Sequence, residues 1–104
     1  MEVTCTSLDE VRQRIDVIDR SLVSLLTQRG KLVAQAARFK KTTDDVRAPA
    51  RVEQVIEKVR VMAGEAGASP AVVEQVYRAM ISAFIAEELN VHATLTATDP
   101  AGNA

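Results

Sequence analysis

The chain has 104 residues, of which 47% are hydrophobic and 26% are charged, and its formal net charge at pH 7 is −1. This composition is typical of one compact folded domain and excludes a disordered chain. With so little net positive charge and only one tyrosine and two phenylalanines, the chain lacks the basic surface and stacking side chains of a nucleic-acid-binding protein.

The N-terminal segment, residues 1–6, is predicted to be flexible. The first residues, MEVTCTSLDE, lack the basic start and apolar run of a signal peptide. No stretch of the sequence approaches the roughly 18 apolar residues of a membrane helix. We therefore expect a cytoplasmic protein that does not bind a membrane. Cys5 is the only cysteine, so neither a disulfide framework nor a cysteine-rich metal site is expected within one chain.

The first predicted helix begins near Ser7, where the serine and Glu10 form a capping box, and its apolar periodicity runs to about Lys41. Arg29 interrupts an apolar seam that follows a 3-4 spacing. A guanidinium keeps its charge, and burying it without an anionic partner is very costly, so this position predicts an anionic ligand. The other seam residues are Leu8, Val11, Ile15, Ile18, Leu22, Leu25, Leu32, Ala36 and Phe39.

A basic cluster extends from Arg29 through the first predicted loop, residues 42–48. Only Asp44 and Asp45 oppose it. The cluster favours a small anion as ligand, and a solvated basic face is the alternative interpretation. Its other members are Lys31, Arg38, Lys40, Lys41, Arg47 and Arg51.

Two further helices are predicted after this loop. Pro49 suits the first turn of the second helix, where a missing amide proton is harmless, and Gly64 or Gly67 can end that helix. Ser69 and Pro70 provide an N-cap and a first helical residue for the third helix. The fold class predicted is therefore all-α, with a three-helix chain and a very long first helix.

The length of the first helix predicts an assembly. A helix of about 35 residues spans on the order of 50 Å. A compact domain with the length of the whole chain has a radius of gyration of only about 13 Å. The two shorter helices cannot cover both ends of the first one, so a second copy should bury the exposed seam. We expect an intertwined, two-fold symmetric helical homodimer formed by residues 7–92, followed by a disordered tail, residues 93–104.

The spacing of three basic residues along the first predicted helix suggests a shared site. Arg29 and Lys40 lie about three turns apart, so they would project from nearly the same side of a continuous helix. Arg12 lies about 25 Å from Arg29, too far for one small ligand to touch both from the same chain. In a dimer, Arg12 can serve the pocket of the partner subunit. Taken alone, Arg12 is an ordinary surface arginine and Lys40 a lysine favoured by the helix dipole.

The intervals between Arg12, Arg29 and Lys40 resemble those in the first helix of the all-helical chorismate mutases, and the resemblance covers roughly residues 7–92. It implies an intertwined dimer in which Arg29, and Arg12 supplied in trans, hold the carboxylates of a dicarboxylate substrate, chorismate. Lys40 would lie beside a carboxylate and the ether oxygen whose bond breaks, and Arg51 would face the ring. The reaction is a pericyclic rearrangement to prephenate, so neither a metal nor an organic cofactor is expected.

Glu88 continues an apolar stripe of the third predicted helix. It follows Tyr77, Ile81 and Phe84 at helical spacing and should therefore face the interior. The resemblance implies that Glu88 is a second hydrogen-bond donor to the ether oxygen, for which its carboxyl group must be protonated. The structural alternative is a carboxylate that pairs with Lys40 or Arg29 and only neutralises charge.

Two substrate-binding positions depart from the best-known mutases. Val52 stands where many of them have a Glu that accepts a hydrogen bond from the ring hydroxyl, and Phe84 stands where some have a small hydroxyl residue. Together with residues 38–40 and 48–52, these positions resemble the related isochorismate-pyruvate lyases, which form salicylate. Those lyases carry Gln at the position of Glu88, which favours the mutase. We predict a chorismate mutase, with the lyase acting on isochorismate and a non-catalytic helical dimerisation module as alternatives.

Overall fold

The computed structural model describes residues 3–97, with side chains to Val91. Within this range the chain is helical and contains no strand, so the predicted all-α class is confirmed. None of the described helices is long and apolar enough to cross a lipid bilayer. The helices are α1 (Leu8–Ala37), α2 (Thr43–Arg47), α3 (Pro49–Ala66) and α4 (Pro70–Ala97).

The chain divides into two compact units, one that ends at Val33 and one that starts at Ala34. The first unit therefore contains most of α1, and the second contains α2, α3 and α4. Helix α4 continues to Ala97, beyond the predicted start of the tail at residue 93. The rest of that predicted tail, residues 98–104, lies outside the described residues.

Helix α1 begins at the predicted serine cap. The backbone N–H of Glu10 donates to Ser7 Oγ at 3.1 Å. The Glu10 carboxylate in turn accepts from the N–H and the hydroxyl of Thr6, at 3.1 and 2.9 Å. These two hydrogen bonds hold the pKa of Glu10 below its ordinary value, and the one from the backbone N–H of Thr6 has the larger effect. The reciprocal bonds satisfy donors that the first helical turn leaves unpaired.

The apolar seam of α1 lies on the surface of the single chain. Across Leu8–Ala37, all of which the structure describes, no residue is buried. Leu22 and Leu25, at the middle of the seam, are 51% and 58% exposed. A row of exposed large apolar side chains of this kind is typical of interaction surfaces.

Helix α1 ends at Ala37, whereas the periodicity predicts a helix to about Lys41. The backbone N–H groups of Arg38, Phe39 and Lys40 donate to the carbonyls three residues earlier, at 3.0 to 3.1 Å. Such short-range bonds tighten and end a helix. Lys40 therefore lies beyond α1, and the spacing that places it three turns from Arg29 on one continuous helix does not apply.

A short helix, α2, replaces the loop predicted for residues 42–48. Thr42 Oγ1 accepts from the backbone N–H of Asp45 at 3.1 Å, and the Asp45 carboxylate accepts from the backbone N–H of Thr42 at 3.3 Å. This is a capping box with Asp in the place usually taken by Glu or Gln. Ala48 then adopts a left-handed conformation, with φ 37°, and Pro49 starts α3 directly after it.

The core of the second unit lies between α3 and α4, with one residue from α2. On α3, Ala63 is buried while the neighbouring Met62 is exposed. Gly67 ends α3 with a positive φ of 80°, a conformation that glycine adopts without steric cost. The buried apolar residues are Val46, Ile56, Val59, Ala63 and Ile81.

Ion pairs join the exposed edges of α3 and α4. Arg78 on α4 donates through Nη1 and Nη2 to both carboxylate oxygens of Glu53 on α3, at 2.8 and 2.9 Å. Its Nε donates to Glu74 at 2.8 Å, and Glu74 also accepts from Arg60 of α3 at 2.6 Å. These guanidinium hydrogen bonds, above all those from Arg78, lower the pKa of Glu53 and of Glu74, and the two carboxylates raise the pKa of Arg78.

Replacing Arg78 with Met is expected to make the free energy of unfolding depend less on pH in the acidic range. Glu53 and Glu74 have folded pKa values below their ordinary value of 4.5, so their pairing stabilises the fold fully above that value and is lost as the pH falls through the folded values. Wild-type protein should lose unfolding free energy from about pH 5 downward, and Arg78→Met should lose less. Urea unfolding followed by circular dichroism across this pH range provides the measurement. Lys58→Met, at an exposed lysine of α3, is the control, and equal pH slopes for Arg78→Met and wild type would contradict the prediction.

Candidate active site

Lys40 and Glu88, two of the predicted catalytic residues, meet in the second unit. Lys40 lies in the connection between α1 and α2, and Glu88 lies on α4. Lys40 Nζ is 3.6 Å from Glu88 Oε2, with side-chain exposures of 23% and 10%. The distance makes an ion pair but exceeds the 2.7 to 2.9 Å or so of a charge-assisted hydrogen bond. A contact between residues so far apart in sequence is set by tertiary packing.

The Glu88 side chain is the more enclosed member of the pair. Its Oε2 is buried and accepts no hydrogen bond from any described residue. A buried polar atom without a hydrogen bond costs about 1–3 kcal/mol. The pair therefore holds unused hydrogen-bonding capacity on both sides, since the Lys40 ammonium carries three donors.

The helical stripe on α4 accounts for the enclosure of Glu88. Ile81 on this stripe is buried, and Tyr77 and Phe84 are half-buried. Glu88 follows Phe84 by about one turn on the same side. Glu87, one position earlier, points elsewhere and is exposed. The helical spacing thus places the Glu88 carboxylate at a position that an apolar side chain, such as leucine or methionine, usually occupies.

Three further predicted substrate-binding residues also belong to the second unit. Arg51 is exposed near the start of α3, and its Nη1 donates to Gln54 Oε1 at 2.8 Å. This bond to the next turn of the same helix restrains the guanidinium. Val52 on α3 and Phe84 on α4 are half-buried, so each presents part of an apolar side chain at the surface.

The two predicted carboxylate-binding arginines belong to the first unit. Arg12 is exposed and Arg29 is half-buried. Both lie on α1, separated by about 25 Å along its axis. The distance is too great for one small dicarboxylate to contact both on a single chain.

Sequence periodicity failed for the residues on both sides of Lys40. Phe39, predicted as a seam residue of the first helix, lies outside α1 and is 85% exposed. Thr42 and Asp45 form the capping box of α2, for which the spacing Thr-x-x-Asp was the available signal. In the part of the chain that the structure describes, no three His, Cys, Asp or Glu side chains cluster closely enough to hold a metal ion. The side chain of His92 lies outside the described residues.

Two comparisons with known proteins bear on this site. Residues 11–89 match a family model described as chorismate mutase type II. The matched segment includes every predicted site residue from Arg12 to Glu88. The chain is also 34% identical over 85 residues to the isochorismate pyruvate lyase of Pseudomonas aeruginosa, an alignment that covers 82% of this chain and 84% of that protein.

Lys40→Met is expected to lower the free energy of unfolding by about 1–3 kcal/mol, because it leaves the enclosed Glu88 carboxylate without its cation. Adding Glu88→Gln should restore most of that loss, since a neutral amide is cheaper to bury than a carboxylate. Urea unfolding of both single variants, the double variant and wild type at one protein concentration measures the coupling.

The matched control is Lys41→Met, at the exposed neighbouring lysine, which should change the unfolding free energy by less than about 0.5 kcal/mol. Strictly additive effects of Lys40→Met and Glu88→Gln would contradict an energetic link between the two side chains.

Proposed function

The chain belongs to the chorismate mutase type II family, and we propose that it converts chorismate to prephenate. The observation that carries the proposal is the enclosed pair of Lys40 and Glu88, 3.6 Å apart. In this rearrangement a carbon–carbon bond forms while the ether carbon–oxygen bond breaks. Negative charge grows on the ether oxygen, so the protein must place hydrogen-bond donors around that one atom.

Lys40 and Glu88 can supply two such donors. The Lys40 ammonium donates directly, and the Glu88 carboxyl group donates when it is protonated. When the substrate binds, the Glu88 carboxylate would take up a proton from solvent, and the ether oxygen would accept one hydrogen bond from it and one from Lys40. Both hydrogen bonds strengthen as the carbon–oxygen bond breaks. Removing one preorganised donor of this kind typically costs about 100- to 1,000-fold in kcat.

Arg29 and Arg12 are assigned to the two carboxylates of the substrate. A planar guanidinium can bind both oxygens of a carboxylate at once, which fixes the reactive shape of the ligand. Because the two arginines are about 25 Å apart on α1, we assign Arg12 to the site of the partner subunit in a homodimer. The exposed seam of α1, including Leu22 and Leu25, supports a second copy, since burying apolar area contributes about 25 cal/mol per Å².

The ring of the substrate is assigned to three residues of the second unit. Arg51, restrained by Gln54, would face the ring. Val52 and Phe84 would form an apolar wall beside it. With Val52 in this wall, the ring hydroxyl would have no carboxylate acceptor at that position, and binding would rely more on the arginines.

A second candidate is the isochorismate pyruvate lyase reaction. It is favoured by the 34% identity to the Pseudomonas aeruginosa enzyme of that name and by Val52 and Phe84. Elimination of pyruvate also breaks the bond to the ether oxygen, so Lys40 and Glu88 would have the same role. Glu88 itself, where the lyases that this chain resembles carry Gln, favours the mutase.

The assignment is tested by assaying the purified full chain with chorismate and, separately, with isochorismate. Formation of prephenate from chorismate is the expected result. Formation of salicylate from isochorismate, detected by its fluorescence, would move the chain to the lyase reaction. Turnover of neither substrate would contradict both enzymatic assignments and leave the dimerisation module.

The pH dependence of turnover tests the role of Glu88. If the protonated carboxyl group donates to the ether oxygen, loss of its proton removes one donor, so kcat should be higher in acid than in base. Glu88→Gln should flatten this dependence, because an amide donates at every pH. Glu87→Gln, on the exposed neighbour, is the matched control and should leave the profile unchanged. If Glu88→Gln keeps the same pH profile of kcat as the wild type, Glu88 is not the donor to the ether oxygen.

Arg29→Leu separates an enzyme from a dimerisation module. In the enzyme this substitution should lower kcat/KM by about 1,000-fold or more, since it removes a charged, bidentate contact to the substrate. In a module it should be tolerated or stabilising, because leucine repairs the apolar seam. Light scattering should detect a dimer in both wild type and variant. Arg20→Leu, at an exposed position of α1, is the control, and unchanged turnover by Arg29→Leu would contradict the substrate role.

A further inference from the structure

Lys40 lies outside every helix, yet the backbone on both sides of it is held by hydrogen bonds. On the N-terminal side, the N–H groups of residues 38–40, which include that of Lys40 itself, donate to the last carbonyls of α1, at 3.0 to 3.1 Å. After it, the N–H groups of Lys41 and Thr42 both donate to Asp45 Oδ2, at 3.1 and 3.3 Å. One carboxylate oxygen thus holds the backbone that leaves Lys40.

Asp45 is itself fixed to the second unit. Its backbone N–H donates to Thr42 Oγ1 at 3.1 Å. The next residue, Val46, is 3% exposed and belongs to the core. Helix α2 packs on α4, the helix that carries Glu88. Asp45 therefore connects the backbone beside Lys40 to the element that carries its partner.

The charge on Asp45 strengthens this connection. The N–H groups of Lys41 and then Thr42 lower the pKa of Asp45, and the nearby charge of Lys40 adds to the effect. The carboxylate is therefore ionised at neutral pH. Hydrogen bonds to an ionised acceptor are roughly twice as strong as those between neutral groups.

We propose that Asp45 is a positioning residue for the reaction, whose carboxylate holds the backbone of residues 41–42 and so places Lys40 Nζ beside Glu88. The proposal rests on the function proposed above and assigns Asp45 no contact with the substrate. Placement matters because a lysine side chain is long and flexible, and a displacement of about 1 Å at a reacting group can cost about 100-fold in rate.

The experiment compares Asp45→Ala with Asp45→Asn in the full chain, using the substrate that the wild type turns over. Asp45→Ala removes the acceptor and should lower kcat by about 10- to 100-fold, with a smaller change in KM. Asp45→Asn keeps an acceptor oxygen and should recover most of the lost kcat. An Asp45→Asn enzyme as slow as Asp45→Ala would overturn the proposal, because the hydrogen bonds would then not be what positions Lys40.

Two further variants separate positioning from helix capping. Thr42→Val breaks the other half of the capping box but leaves Asp45 bonded to the N–H of Lys41, so it should keep kcat within about threefold of wild type. Asp44→Ala removes an exposed carboxylate of the same helix and should also leave kcat unchanged. A loss with Thr42→Val equal to that with Asp45→Ala would show that α2 stability, and not the carboxylate, controls the rate.

A measurement without substrate distinguishes failure of this proposal from failure of the proposed function. The coupling between Lys40 and Glu88, obtained from the unfolding of single and double variants, should fall by about half or more when Asp45 is replaced by alanine and be largely kept with asparagine. If neither chorismate nor isochorismate reacts while the coupling falls, the positioning stands and the proposed reaction is wrong. Unchanged coupling and unchanged kcat in Asp45→Ala would overturn the positioning role.

Discussion

The ion pair between Lys40 and Glu88 is the contact on which the candidate site in the second unit depends. The Glu88 carboxylate is enclosed, and removing it from water is costly. Lys40, the cation that offsets this cost, lies in the connection between α1 and α2. The turn after α1, the capping box at Thr42 and Asp45, and the buried Val46 hold that part of the chain against α4. The five-residue helix α2 thus packs on α4 directly after the segment that carries Lys40.

A second constraint comes from α1. Its apolar seam is exposed on the single chain, and the same helix carries Arg12 and Arg29. Exposed leucines and isoleucines in a regular row favour association, since water is released when they are covered. Under the proposed function, one surface therefore has two roles: it joins two copies, and it brings an arginine from each copy to a shared substrate. Assembly and substrate binding would then be inseparable.

The proposed reactions need little chemistry from the protein and much placement. Both break the bond to an ether oxygen, so two donors and a set of arginines serve either one. The choice between the reactions would depend on how the ring is held, and Val52 and Phe84, in their proposed place, would make that surface more apolar than in the best-known mutases. Membership of the family therefore gives the scaffold, while under the proposed function a few residues beside the ring would decide the product.

The sequence by itself determined the elements that depend on apolar periodicity and terminal signals. It predicted three long helices, the serine cap of α1 and the position of Glu88 on the inner side of α4, because each follows from spacing along one helix. Only the tertiary structure decided where α1 stops, that α2 exists, and that Lys40 meets Glu88. The first two depend on a few local hydrogen bonds that leave no periodic pattern. The third depends on the packing of α2 on α4, which joins residues distant in sequence and which no local spacing can specify.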